Sequence, residues 1–177
     1  QKGIVALGAD HGGYALKEVV KSYLSELGYA VLDCGTNSAA EGVDYPDFAY
    51  AVAQSVAEGR AWRGIMVDGA GIGSCMTANK VPGVRASMCY DVTSALNARE
   101  HNDANVLTLG GQLIGVNLAK QIVKAWLDTA FVEAFGGRKE MSEYLEKIGL
   151  PYPMGTEKAY STDANMLLRT RSTKGRL

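Results

Sequence analysis

The stretch Arg63 to Lys80, RGIMVDGAGIGSCMTANK, brings together residue types suited to proton chemistry. An apolar run, Ile65 to Val67, ends in Asp68, and glycines alternate at positions 69, 71 and 73 before a helical pattern begins. A glycine loop between a strand and a helix offers backbone N–H groups and the positive end of a helix dipole to an anion. The spacing is G-x-G-x-G. It lacks the G-x-G-x-x-G of dinucleotide folds and the G-K-[ST] ending of nucleotide-triphosphate loops. Alone, such a loop serves equally well as a tight turn that lets the helix lie close to the sheet. Asp68 tips the balance. A carboxylate repels a phosphate held beside it, but it is suited to removing a proton from a carbon next to a carbonyl. The amides of Gly69, Ala70, Gly71, Ile72, Gly73 and Ser74 would then hold the oxygen that becomes negative.

Four further polar residues flank predicted strands: Asp10 and His11 after the first, and His101 with Asn102 before the fifth. Each has a plain reading as a polar residue at the end of an element. His11 and His101 are the only histidines, and imidazole is the side chain that changes charge near neutral pH. Cys34, Cys75 and Cys89 have neither zinc-site spacing nor the even count of a disulfide framework. No metal and no cofactor are expected, and the thiols read as the reduced cysteines of a cytoplasmic protein. Cys75, next to the loop, is a secondary candidate for the base, although a half-buried cysteine more often fills space as a small apolar group.

These residues need a scaffold, and the hydrophobic pattern supplies one. GIVALGAD, YAVLDCG, RGIMVDG and ANVLTLGG read as strands, with GVRASMCY completing a set of five. Between them lie YALKEVVKSYLSELG, DYPDFAYAVAQSVAEG with Pro46 in its first turn, SCMTANK and DVTSALNARE; GVNLAKQIVKAWLDTAF follows the last strand. Strands separated by helices of this length imply a parallel sheet covered on both faces. Ligands of such sheets sit at the carboxyl ends of the strands, where Asp10, Asp68, Gly110 and Gly111 fall; His101 and Asn102 are expected to join them.

A chain of 177 residues suits one α/β domain, and a formal net charge of −1 argues against nucleic acid as a partner. No apolar run approaches the roughly 20 residues that span a membrane, and the opening residues lack a secretory pattern. Composition shifts near Gly149. Residues 1–149 read as the catalytic domain. Residues 150–177, with five basic side chains, read as an extension lying on a neighbouring subunit.

The stretches GADHGGYALK, DYPDFA, GAGIGSCMTANKVPGVRA, EHNDANVLTLGG and the GGR of Gly136 to Arg138 resemble, in order and spacing, the ribose-5-phosphate isomerase B and galactose-6-phosphate isomerase family. The resemblance covers Gly3 to Leu145. It implies a Rossmann-like α/β/α sandwich with a five-stranded parallel sheet, in a homodimer or homotetramer with active sites between subunits. It further implies intramolecular aldose–ketose isomerisation of a small sugar phosphate through a cis-enediolate, without metal or nucleotide. Residue by residue, Asp68 stands at the position of the base and His101 at that of the ring-opening acid. Asp10 and His11 match contacts to the sugar ring and phosphate, and Tyr45 matches a wall of the sugar pocket. The 69–74 loop and Asn102 match the enediolate clamp, and Arg138 a phosphate ligand.

The departures are as specific. Many relatives have cysteine where this chain has Asp68, although one galactose-6-phosphate isomerase subunit type has aspartate. A frequent threonine is Ala70 here, and Gln112 and Ser142 stand where arginines are expected. Losing two charge-assisted arginine contacts weakens phosphate anchoring by about 1.5–3 kcal/mol each. Three explanations stand open: a substrate with its phosphate elsewhere, one without phosphate, or other cations in place of the arginines, for which Lys139 and the extension's Arg169 and Arg171 are candidates. Two alternatives remain at this point: a non-catalytic partner subunit of a heteromeric isomerase, and a flavodoxin-like nucleotide or flavin binder.

Overall fold

Ten elements alternate along the chain in the computed structural model, which describes residues 2–132 and Lys147. They are β1 (Ile4–Ala9), α1 (Tyr14–Glu26), β2 (Ala30–Asp33), α2 (Tyr45–Ala57), β3 (Arg63–Asp68), α3 (Ile72–Ala78), β4 (Ala86–Met88), α4 (Val92–Glu100), β5 (Val106–Gly110) and α5 (Val116–Asp128). All five strands are parallel, in the order β2-β1-β3-β5-β4. The expected five-stranded, all-parallel Rossmann-like sheet is therefore present.

Period-two alternation along the central strands builds two cores. Val5, Leu7, Ala9, Ile65, Val67, Leu107 and Leu109 pack with Leu16, Val20 and Leu24 of α1, Ala95 and Ala98 of α4, and Ile122, Val123 and Trp126 of α5. Ala6, Met66 and Val106 belong to a second core with Ala49, Val52 and Ala53 of α2 and Ala78 of α3. Strands buried on both faces read as near-continuous apolar runs, which is how they stood out in the sequence.

Polar groups fix the helices. Pro46 lies in the first turn of α2, where its missing N–H costs nothing. Asp91 and Ser94 form a capping box at the start of α4. Arg63 and Arg99, both buried, donate to the Trp126 and Thr129 carbonyls at the end of α5. Burial, reinforced by the neighbouring Arg99, pushes the Arg63 guanidinium down to about 10. Lys17, fully buried on α1, holds Asp33 at the end of β2 through both carboxylate oxygens at 3.0 Å, with Lys21 beside it.

All ten elements fall within one compact unit, Gln1–Phe131. The boundary expected near Gly149 and the extension 150–177 lie outside the described residues. No helix among the described residues is long and apolar enough to cross a membrane.

Candidate active site

The strand order reverses direction between β1 and β3, the switch point at which open α/β sheets hold ligands. Asp10 follows β1 and Asp68 ends β3, and the Asp10 N–H donates to the Val67 carbonyl at 3.2 Å. Asp68 is level with Gly110 of β5. Beyond that register, the Gly111 N–H donates to the Asp68 carbonyl at 2.7 Å and the Gln112 N–H to the Gly69 carbonyl at 3.0 Å. These two bonds fold the β5 turn over the β3 loop. The result is a small polar floor. A methyl placed on Gly12 would lie 3.4 Å from Asp10 Oδ1, 3.7 Å from Gln112 Nε2 and 3.8 Å from the Gly69 nitrogen.

Asp68 is buried, and its carboxylate turns back into its own loop. It accepts from the Ala70 N–H at 2.9 Å, from the Gly71 N–H, from the Ser74 N–H at 3.1 Å and from the Ser74 hydroxyl. Gly71 makes this turn possible: its φ of +80° is open to glycine and strained for other residues. Thr108, buried on β5, donates its hydroxyl to the Gly71 carbonyl at 2.8 Å and clamps the loop from below. The sequence suggested a carboxylate and six amides all facing a ligand. The structure instead directs the Ala70, Gly71 and Ser74 amides onto Asp68. The amides of Ile72 and Gly73 have no acceptor among the described residues.

Tyr45, the first residue of α2, lies against this loop. A methyl on Gly73 would come within 2.6–2.7 Å of the Tyr45 ring and hydroxyl, so the ring closes over a position only glycine can occupy. Beside it opens a cleft of about 500 Å³ lined by His11, Val43, Asp44, Asp47 and Phe48. His11 Nδ1 accepts the Val43 N–H at 3.2 Å, so the neutral ring carries its proton on Nε2, which has no acceptor among the described residues. None of the residues named at the floor or in this cleft is Lys or Arg. The cleft instead has two carboxylates.

His101 and Asn102 do not join this group within one chain. Val106, which opens β5, is level with Gly64 rather than Asp68. The turn before it therefore enters the sheet at the amino edge, about 13 Å from Asp68 at the usual rise per strand residue. His101 caps the end of α4 with its side chain exposed, 4.0 Å from Glu100. Asn102 donates back to the Asn97 carbonyl and side chain. The expectation that they converge with Asp68 is corrected: in a parallel sheet, residues that precede a strand and residues that end one lie at opposite edges.

Cys75 faces β4, where its thiol donates to the Ala86 carbonyl at 3.4 Å. Burial pushes that thiol up, which opposes a role as base. Arg138, Lys139 and Ser142 lie outside the described residues. Thr108 was missed by the sequence reading, although a lone polar residue inside the apolar run VLTLG was a visible signal. Among the described residues, no cluster of side chains could hold a metal ion.

Comparison with known proteins agrees with this architecture. Residues 5–144 match the Ribose/Galactose Isomerase family. The chain is 43% identical over 145 residues to a D-erythrulose-4-phosphate isomerase of Pectobacterium atrosepticum, covering 82% of this chain and 92% of the relative. It is 43% identical over 136 residues to ribose-5-phosphate isomerase B of Escherichia coli, covering 77% and 89%. The crystal structure of a ribose 5-phosphate isomerase from Thermotoga maritima superposes with a TM-score of 0.74 at 42% identity, covering 84% of this chain and 98% of that one. With the strand order, the loop after β3 and these matches in agreement, the chain belongs to the ribose/galactose isomerase family.

Proposed function

We propose that this protein interconverts the aldose and ketose forms of a small sugar phosphate, moving a proton between C1 and C2 through a cis-enediolate. Similarity to isomerases named for ribose 5-phosphate and erythrulose 4-phosphate supports a four- or five-carbon substrate. The observation that carries the reading is the floor itself: buried carboxylates and N–H donors meet at the strand ends, in surroundings that favour proton transfer next to a carbonyl. Asp68, the expected base, enters this scheme with its oxygens occupied by its own loop. To take a carbon proton it must first release Ala70, Gly71 or Ser74.

The active unit is a homodimer or homotetramer in which a neighbouring subunit contributes His101, as ring-opening acid, and Asn102 to the floor of this one. Two observations support it. His101 and Asn102 lie at the far edge of their own sheet, and Ile72, Met76 and Leu113, on and near the β3 loop, are large apolar side chains left about half exposed or more. The phosphate is held by Arg138, the ligand that the family resemblance implies, with Lys139 as a second cation; the two carboxylates of the cleft beside His11 would repel it. The isomerisation takes place in the cytoplasm and uses no cofactor.

Turnover of ribose 5-phosphate, ribulose 5-phosphate, erythrulose 4-phosphate and their unphosphorylated forms by the purified chain tests this. Conversion of a phosphorylated sugar by the single chain is the expected result. Conversion only after a second, unlike chain is added would show a partner subunit instead.

A further inference from the structure

We infer that Asp10 takes the carbon proton and that Asp68 is a positioning residue that shapes the loop; this rests on the isomerase reading above. The two carboxylates differ in what already occupies them. An ionised carboxylate has about four lone-pair sites, and Asp68 fills them with the Ala70, Gly71 and Ser74 N–H groups and the Ser74 hydroxyl. Asp10 accepts one hydrogen bond among the described residues, from the Gly13 N–H at 2.8 Å, and the rest of its carboxylate is open. It is 9% exposed, so water competes little for that open edge.

Donors stand nearby. A methyl on Gly12 would come within 3.4 Å of Asp10 Oδ1, 3.7 Å of Gln112 Nε2 and 3.8 Å of the Gly69 nitrogen, so the carboxylate and both donors line one patch of the floor. A base and two N–H donors on one patch can take a carbon proton and hold the oxygen that becomes negative. Asp10 removes the proton from C2 of the aldose, and the C–H electron pair becomes the C1–C2 double bond. The C1 carbonyl pair moves onto its oxygen, which Gly69 N–H and Gln112 Nε2 stabilise. The O2 hydroxyl proton then passes to O1, the O2 carbonyl forms, and Asp10 returns its proton to C1. Nothing is gained or lost overall. Asp68, meanwhile, holds Gly69 in place through the turn it closes.

The experiment measures exchange of the sugar C1 or C2 hydrogen in D2O, using ribulose 5-phosphate and ribose 5-phosphate as probes, together with probe binding and the pH profile of kcat. Asp10→Asn keeps an acceptor for Gly13, so folding and binding of the probe should survive while exchange falls by about 10²–10⁴. Asp68→Asn should raise KM and lower kcat, with the acid limb of the profile unmoved. Asp68→Cys should likewise leave that limb where it is. Gly12→Ala, which places a methyl against that patch, should weaken probe binding. The inference is overturned if Asp10→Asn exchanges within tenfold of the wild type, or if Asp68→Cys moves the acid limb up toward the thiol range. Exchange absent from the wild type with both probes overturns the isomerase reading and this inference together.

Discussion

Asp10 and Asp68 end neighbouring strands, and only their hydrogen-bond partners tell them apart. In the sequence, Asp68 is the more conspicuous, set between an apolar run and three glycines. An aspartate followed by glycine, however, has a strong local alternative: its side chain bonds N–H groups two and three residues on, forming an Asx turn. That is what Ala70 and Gly71 show. The motif was legible, and its direction was not, because spacing does not reveal whether a loop serves a ligand or its own acid. Gly73 carries a prediction at this scale. Its replacement by alanine would drive a methyl into the Tyr45 ring, so Gly73→Ala should displace that ring and destabilise the fold by about 1–3 kcal/mol. Urea unfolding measures the loss, and a KM raised more than kcat is lowered would mark Tyr45 as a wall of the sugar pocket.

Among the elements, the alternation of strands and helices was readable in full and its bounds to within about three residues, since both-face burial produces apolar runs with distinct ends. The position of the α4–β5 turn was misjudged, although parallel pairing alone assigns a residue before a strand to the amino edge. Two contacts between elements carry predictions. Thr108 joins β5 to the β3 loop from a fully buried position, so Thr108→Val removes one of the two hydrogen bonds to the Gly71 carbonyl, the Cys75 N–H at 3.2 Å remaining, and should cost about 0.5–1.5 kcal/mol. The measurement is thermal unfolding, with activity falling further than stability because the loop loosens. Asp33 joins β2 to α1. Burial favours its neutral form but is outweighed by hydrogen bonds from Lys21, Gly35 and Lys17, which hold the carboxyl below its ordinary range. A folded-state value below the unfolded one contributes stability at neutral pH that fades as pH falls through the folded value. Stability should therefore decline on acidification below the usual carboxylate range. Asp33→Asn should be destabilised at pH 7, at the low end of about 3–5 kcal/mol because Glu18 still faces the buried Lys17, and should show a flatter acid response. Urea denaturation at pH 7 and pH 3 compares the two.

At the scale of the whole molecule, the proposed site is divided between copies: one sheet presents the floor, and the far edge of another supplies His101 and Asn102. Sequence resemblance implied that division, while the pattern of one chain suggested that all these residues converge. Only the strand register separates the two pictures. If sites are shared, inactive Asp10→Asn and His101→Ala chains mixed and allowed to exchange subunits should regain about a quarter of wild-type activity, because half the dimers are mixed and one site in each is intact. No recovery would place each site within one chain.

The central claim is that this protein moves a hydrogen between adjacent sugar carbons. Its most direct test incubates the wild-type chain in D2O with paired phosphorylated and unphosphorylated tetroses, pentoses and hexoses and follows C1 and C2 by NMR. The account predicts deuterium at one of those carbons in a phosphorylated sugar. An unlabelled set, from folded protein, would contradict it.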